Sequence, residues 1–178
     1  MRRLSNILDN NPFFRRDEAN YLAQMIHYLP PHPKVLEIGT FKGLSSILMA
    51  KQRQDVSITT IDPHVGIPSC HALSSSFSEA LFNFSKFGVA NQITHAPVSS
   101  RDYKTNNKFN LLFIDGDHTY DGVSSDFFRF KDNVLPGGFI VFHDYGFQSG
   151  VTRFCNDLNL PHKVHISFFI LKNDILPK

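Results

Sequence analysis

Short apolar runs alternate along this chain with segments whose apolar residues stand three or four positions apart. The runs at residues 35–37, 56–62, 109–115 and 139–144 show no polar alternation, which predicts strands that are buried on both faces. The spaced segments predict amphipathic helices that cover such a sheet. The predicted helices span residues 17–28, 45–52, 74–87, 120–133 and 149–158, a short strand spans 92–96, and one or two closing strands lie within 163–172.

Length and composition fit one globular domain. The 178 residues are enough for a single sizeable core. The net charge of +2 comes from scattered lysines and arginines, so we expect neither a nucleic-acid nor a membrane partner. No apolar run reaches the roughly 20 residues of a membrane span. Two distant cysteines, Cys70 and Cys155, predict plain thiols and a cytoplasmic location.

A glycine turn between the first strand and the next helix is the clearest candidate binding site. Gly39 and Gly43 allow a sharp turn and the close approach of a ligand, and the helix from Ser45 offers unpaired N–H groups. The spacing E-x-G-x-x-x-G fits neither the dinucleotide motif G-x-G-x-x-G nor the phosphate loop. Glu37 would repel a pyrophosphate, so the turn favours a ligand that carries an amino or sulfonium cation.

Acidic or imidazole side chains follow four of the predicted strands. They are Glu37, Asp62, Asp115 and the pair His143 and Asp144. Turn formation and helix capping account for one or two such residues. Ligands of open α/β sheets bind at the carboxyl ends of the strands, and parallel strands would bring these groups to one edge. The pattern therefore predicts a binding site there.

Three segments resemble class I S-adenosylmethionine-dependent methyltransferases. Residues 35–43 resemble the first motif of that family. Residues 114–120, I-D-G-D-H-T-Y, and 135–145, L-P-G-G-F-I-V-F-H-D-Y, resemble a subgroup of small O-methyltransferase-like proteins, some of which use a divalent cation. The resemblance extends from about residue 35 to residue 172.

The fold that this resemblance implies is α/β. It is a Rossmann-like, mostly parallel sheet of six or seven strands with helices on both faces and an antiparallel last strand. Residues 34–172 would form this core, after a helical cap segment at residues 1–33, within a single domain of residues 1–178. Because only residues 1–33 and 63–76 could cover the site, we expect an open site or a lid from the second subunit of a homodimer.

The cofactor that the resemblance implies is S-adenosyl-L-methionine. The glycine turn would approach its methionine end, and Asp62 would accept both ribose hydroxyls. Ser99 is expected near the adenine, and His64, in the loop after Asp62, is expected at the surface. The predicted cofactor-binding residues are Glu37, Gly39, Thr40, Gly43, Ser45, Asp62, Ser99 and Asp115.

Asp115, His143 and Asp144 match the positions that hold Mg²⁺ or a similar ion in the metal-using relatives. An imidazole suits Zn, Fe, Ni or Co better than Mg²⁺, so another metal such as Mn, a His143 that is not a ligand, and no metal all stay open. His118 is the predicted general base, because an ordinary histidine pKa of roughly 6.5 suits proton removal near neutral pH. Asp117 is the competing candidate, or it orients His118.

The function that follows is transfer of a methyl group to a hydroxyl of a small-molecule acceptor, with catalysis mostly by positioning. Two alternatives share the scaffold. One is a metal-dependent, hydroxylase-like enzyme that transfers no methyl group, and the other is a cofactor-binding protein without turnover.

Overall fold

The computed structural model describes residues 14–65 and 76–174. Cys70 and most of the predicted covering segment at residues 63–76 lie outside the described residues. No helix in the described ranges has both the length and the apolar character needed to cross a membrane. The strands are β1 (Lys34–Ile38), β2 (Ser57–Ile61), β3 (Ile93–Ala96), β4 (Phe109–Ile114), β5 (Val134–Phe142), β6 (Lys163–His165) and β7 (Phe168–Lys172). The helices are α1 (Arg16–His27), α2 (Leu44–Gln52), α3 (Ser76–Lys86), α4 (Tyr120–Phe130) and α5 (Ser149–Asp157).

The seven strands form one sheet in the order β3-β2-β1-β4-β5-β7-β6. Neighbours from β3 to β5 pair in parallel, and β7 pairs antiparallel with both β5 and β6. The predicted fold class is confirmed, including the antiparallel last strand.

Helices cover both faces of the sheet, and β4 shows how its sequence produces this. Leu111 and Phe113 pack into a core with side chains of α1, α2 and α3. Leu112 and Ile114 point the other way, into a core with side chains of α4 and α5. Because successive strand residues face opposite sides, a strand covered on both faces must be largely apolar, as β4 is apart from the half-buried Asn110.

The beginning of β5 differs from the prediction. The sequence predicts a helix at 120–133 and a strand at 139–144, but α4 ends at Phe130 and β5 already begins at Val134. The register between β4 and β5 shifts near the start of β4. A Cβ at Gly138 would lie 2.8 Å from a backbone carbonyl oxygen of β4. Gly138 is therefore needed where β5 passes close to β4 at the register shift, and it does not serve to end the preceding helix.

The carboxyl ends of the parallel strands meet at one edge of the sheet. Residues just beyond three strands continue the hydrogen-bond ladder: the N–H of Gly39 donates to β2 (2.9 Å), that of Asp115 to β1 (2.8 Å) and that of His143 to β4 (3.0 Å). The groups that follow the strands are thus held in fixed register beside one another.

Candidate functional site

The turn between β1 and α2 is packed so tightly that only glycine fits at two positions. Gly39 has a φ of +100°, and a Cβ there would lie 2.0 Å from the carbonyl oxygen of Asp115. Gly43 has a φ of +81°, and a Cβ there would lie 2.4 Å from the ring of Phe84 in α3. The predicted cofactor turn therefore lies directly against the residue that follows β4.

Glu37 lies beneath this turn and is completely buried. Its carboxylate accepts a hydrogen bond from the Ser46 hydroxyl in the first turn of α2. Burial raises the pKa of Glu37 to about 7, although hydrogen bonds from Ser45, Ser46 and Thr60 oppose the rise. Thr60 also shares a 2.6 Å hydrogen bond with Thr40, which fastens the turn to β2.

Asp62 stands at the end of β2, and two backbone groups hold its carboxylate. The N–H of Phe41 donates to Oδ2 (2.7 Å) and that of His64 donates to Oδ1 (2.8 Å). The predicted exposure of His64 is wrong, because its side chain is only 6% exposed. Its Nδ1 lies 2.8 Å from the Ser76 hydroxyl and its Nε2 lies 2.8 Å from Nε2 of His95. The fixed Asp62 carboxylate keeps lone pairs for a further donor.

A second group at the same edge joins Asp115, His118 and Asp144. His118 Nε2 lies 3.5 Å from Asp115 Oδ1 and 3.3 Å from Asp144 Oδ2. One ligand atom from each of the three residues lies within 4.8 Å of the others, so one metal ion could contact all three. His143 is not part of this group.

The carboxyl and imidazole groups at this edge shift one another's pKa values. Burial and the neighbouring Asp115 carboxylate raise the pKa of Asp144, against the effect of the two imidazoles. Burial alone would also raise the pKa of Asp115, but His143 and His118 lower it. The hydrogen bond to Asp115 raises the pKa of His118. The two adjacent carboxylates, Asp115 and Asp144, are groups that a bound cation could share.

His143 lies behind this group, buried among three carboxylates. Its Nδ1 lies 3.1 Å from Asp115 Oδ1 and 3.6 Å from Asp144 Oδ1, and its Nε2 lies 3.6 Å from Glu18 Oε2; the two longer distances are those of ion pairs rather than hydrogen bonds. Burial alone would lower the pKa of His143, but these carboxylates raise it to about 10. Glu18 was not predicted. The sequence feature that could have indicated Glu18 is its position on the apolar face of α1, together with Leu22 and Ile26.

Ser99 and Asp117 have local partners in the structure. Ser99 lies in the turn after β3, where its Oγ accepts the N–H of Arg101 (3.2 Å). Asp117 Oδ1 accepts the N–H of Thr119 (2.9 Å), and a Cβ at Gly122 would lie 2.4 Å from Asp117 Cγ. The Asp117 carboxylate is thus packed against the beginning of α4.

An open groove of about 490 Å³ runs along α5 next to this edge. It begins two residues beyond Asp144 and offers an aromatic ring, a cation and several hydrogen-bonding groups. Its lining residues are Gly146, Phe147, Ser149, Thr152, Arg153, Asn156 and Asp157.

The chain is similar to a known protein family and to one curated relative. A family described as a methyltransferase domain matches residues 36–145. An uncharacterized protein of Acanthamoeba polyphaga mimivirus is 32% identical in an alignment 118 positions long, which covers 62% of this chain and 50% of that protein. The chain therefore spans about half the length of the curated relative it matches.

Two solved structures illustrate the similarity of fold. An O-methyltransferase of Bacillus cereus, in complex with S-adenosylhomocysteine, has a TM-score of 0.70 at 15% identity, over 99% of this chain and 91% of that one. The O-methyltransferase TomG of Streptomyces achromogenes, in complex with S-adenosylmethionine, has a TM-score of 0.66 at 19% identity, over 94% and 84%. At these identities the likeness shows a shared fold.

Proposed function

This chain belongs to the methyltransferase-domain family, and we propose that it transfers the methyl group of S-adenosylmethionine to a hydroxyl of a small molecule. One observation carries the proposal. A carboxylate fixed by two backbone N–H groups, Asp62, ends the strand beside a glycine turn that accepts no larger side chain. That arrangement offers a bidentate acceptor for two ribose hydroxyls next to a place where backbone can approach the rest of the cofactor.

The cofactor would lie along the carboxyl edge of β1 and β2. Gly39 and Gly43 keep the turn close to the sheet, and the first turn of α2 contributes the positive end of its dipole. Glu37 supports this turn from below and, when ionised, favours the cationic end of the ligand. Positioning the sulfonium methyl in line with the acceptor oxygen would supply most of the rate enhancement.

The acceptor would bind where Asp115, His118 and Asp144 meet, and these residues fit a divalent cation. Two carboxylates with one imidazole suit Mn²⁺, Fe²⁺ or Zn²⁺ better than Mg²⁺. Such an ion, when bound, lowers the pKa of a coordinated hydroxyl and fixes its oxygen. If His118 is not a ligand of the cation, it is the general base, and its raised pKa then means that it accepts a proton only above that pKa.

The family match favours methyl transfer over a hydroxylase-like activity and over binding without turnover. The groove along α5 would hold the body of the acceptor, since it combines Phe147 with Arg153 and the Phe147 N–H donates to the Asp144 carbonyl (3.0 Å). A cytoplasmic location, the absence of nucleic-acid partners and a homodimer that completes the lid are further parts of the proposal.

Replacing Asp62 by alanine is expected to weaken S-adenosylhomocysteine binding about 100-fold, because two charge-assisted hydrogen bonds to the ribose are lost. Isothermal titration calorimetry measures this directly. Asp132→Ala is the control, because the Asp132 side chain is 81% exposed and follows α4, away from the carboxyl edge. Equal affinity of Asp62→Ala and the wild-type protein would disprove the ribose contact, and no binding by the wild-type protein would disprove the proposed function.

Replacing Asp144 by asparagine is expected to weaken Mn²⁺ binding by at least about tenfold, because one anionic ligand is lost from the group. The measurement is a Mn²⁺ titration followed by electron paramagnetic resonance, with S-adenosylhomocysteine affinity measured in parallel. Asp121→Asn is the matched control, since Asp121 is an exposed residue in the first turn of α4. A Mn²⁺ affinity unchanged by Asp144→Asn would remove this residue from the ligand set.

A further inference from the structure

A chain of buried polar groups connects α1 to the group at the carboxyl edge. Glu18 is 4% exposed and His143 is 3% exposed. Glu18 Oε2 lies 3.6 Å from His143 Nε2, and His143 Nδ1 lies 3.1 Å from Asp115 Oδ1. The order is therefore carboxylate, imidazole, carboxylate, and it leads from the first described helix to a residue of the proposed site.

Glu18 caps the beginning of α1 by accepting the Arg15 N–H, but a cap does not require the carboxylate to be buried. Glu18 shares the buried face of the helix with Leu22 and Ile26, where an apolar side chain would carry no desolvation cost. The structure instead supplies two hydrogen-bond donors to this carboxylate besides its contact with His143. The Ser167 hydroxyl donates to Oε1 (2.5 Å), and the N–H of Arg15 donates to Oε2 (2.8 Å). The Glu18 carboxylate is thus held by Arg15 and Ser167 and also faces His143.

The His143 ring has little freedom to turn. Phe14 stacks on it with ring centroids 5.0 Å apart and an interplanar angle of 14°. Phe168 lies against it at 5.3 Å. In this clamped ring, Nε2 faces Glu18, and Nδ1 faces Asp115 at 3.1 Å and Asp144 Oδ1 at 3.6 Å.

We propose that Glu18 is a positioning residue for Asp115 and acts through His143. Glu18 holds the imidazole so that its Nδ1 stays against Oδ1 of Asp115. His118 also contacts Oδ1, which leaves Oδ2 of Asp115 for a cation or an acceptor. Carboxylate–histidine pairs behind metal ligands set ligand orientation in this way. The inference rests on the proposed function and makes α1 a working part of that site.

The test compares Glu18→Gln with the control Asp17→Asn on the same helix, whose side chain is 60% exposed. In Mn²⁺ titrations of the full chain, Glu18→Gln is expected to weaken binding about tenfold and Asp17→Asn to leave it unchanged. Ser167→Ala removes only the hydrogen bond from Ser167 to Glu18, and we expect it to weaken Mn²⁺ binding less. Affinity for S-adenosylhomocysteine and the melting temperature are measured for every variant. A loss of Mn²⁺ affinity matched by an equal loss of S-adenosylhomocysteine affinity would overturn the inference, since it would reflect general disruption.

A second measurement needs no metal. His118 contacts the same oxygen of Asp115 as His143 does, so its ring-proton resonances report movement of that carboxylate. They are assigned with His118→Gln, and we expect them to shift in Glu18→Gln but not in Asp17→Asn. Unshifted resonances in Glu18→Gln would overturn the inference even if the wild-type protein bound no Mn²⁺. Failure of the wild-type protein to bind S-adenosylhomocysteine would instead count against the proposed function.

Discussion

Replacing Gly39 by alanine is expected to abolish measurable S-adenosylhomocysteine binding, with an affinity at least about 100-fold lower, and to reduce the free energy of unfolding by roughly 3 kcal/mol. The φ of +100° at Gly39 lies outside the range that side-chain-bearing residues adopt readily, and the added Cβ would stand 2.0 Å from the Asp115 carbonyl oxygen. The turn would have to move away from the end of β4. Calorimetric titration and urea unfolding measure the two effects.

Gly88→Ala separates backbone strain from the close approach. Gly88 follows α3 with a φ of +64°, but a Cβ there would meet nothing within 4 Å. We expect this variant to lose about 1 kcal/mol of stability, the cost of a left-handed alanine, and to bind S-adenosylhomocysteine like the wild-type protein. If Gly39→Ala behaved no worse than Gly88→Ala, the contact between the turn and Asp115 would have no role in shaping the site.

The sequence predicted a mostly parallel sheet, because uninterrupted apolar runs require cover on both faces, and the family resemblance added the antiparallel last strand. The sequence did not predict the beginning of β5. The run Pro136, Gly137 and Gly138 has the composition of a turn, yet these residues lie within the strand. Their place depends on the register between β4 and β5, which is a property of the pairing and not of either segment alone.

The sequence predicted that Asp62, Asp115 and Asp144 follow strands, and the structure places them there, while their roles in a site stay predictions. The sequence did not predict which way the side chains of His143 and His118 would point. His143 lies two residues beyond Val141, and strand alternation places both on the face covered by α1. This explains why His143 meets Glu18 while His118, from the following loop, stands among the carboxylates.

Glu18 could not be assigned a role from the sequence. An acid in the first turn of a helix usually favours the helix dipole and remains in solvent. Only the packing of α1 over the end of β5 turns Glu18 towards His143 and Ser167. Such contacts join residues that are distant in the chain, and no local pattern reports them.

Glu37 is expected to make the cofactor-free protein less stable as the pH rises from 4.5 to about 7. Below pH 4.5 the carboxyl is protonated in both the folded and the unfolded chain. Between the two values the unfolded chain ionises while the folded protein keeps the proton, which favours unfolding by about 3 kcal/mol in total. Above about pH 7 both states are ionised and no further loss occurs. Urea unfolding from pH 4.5 to pH 8 measures this change.

Glu37→Gln should remove this loss, because the amide keeps the shape of the protonated carboxyl and cannot ionise. Relative to the wild-type protein, it should gain about 3 kcal/mol between pH 4.5 and pH 8, with the gain complete just above pH 7. Asp126→Asn is the matched comparison, because burial raises the pKa of Asp126 from 3.8 to about 6 and its gain should be complete about one pH unit lower. A constant difference between Glu37→Gln and the wild-type protein over this range would mean that Glu37 is ionised in the folded protein throughout. Its carboxylate would then stand charged beneath the glycine turn whether or not a cationic ligand is present.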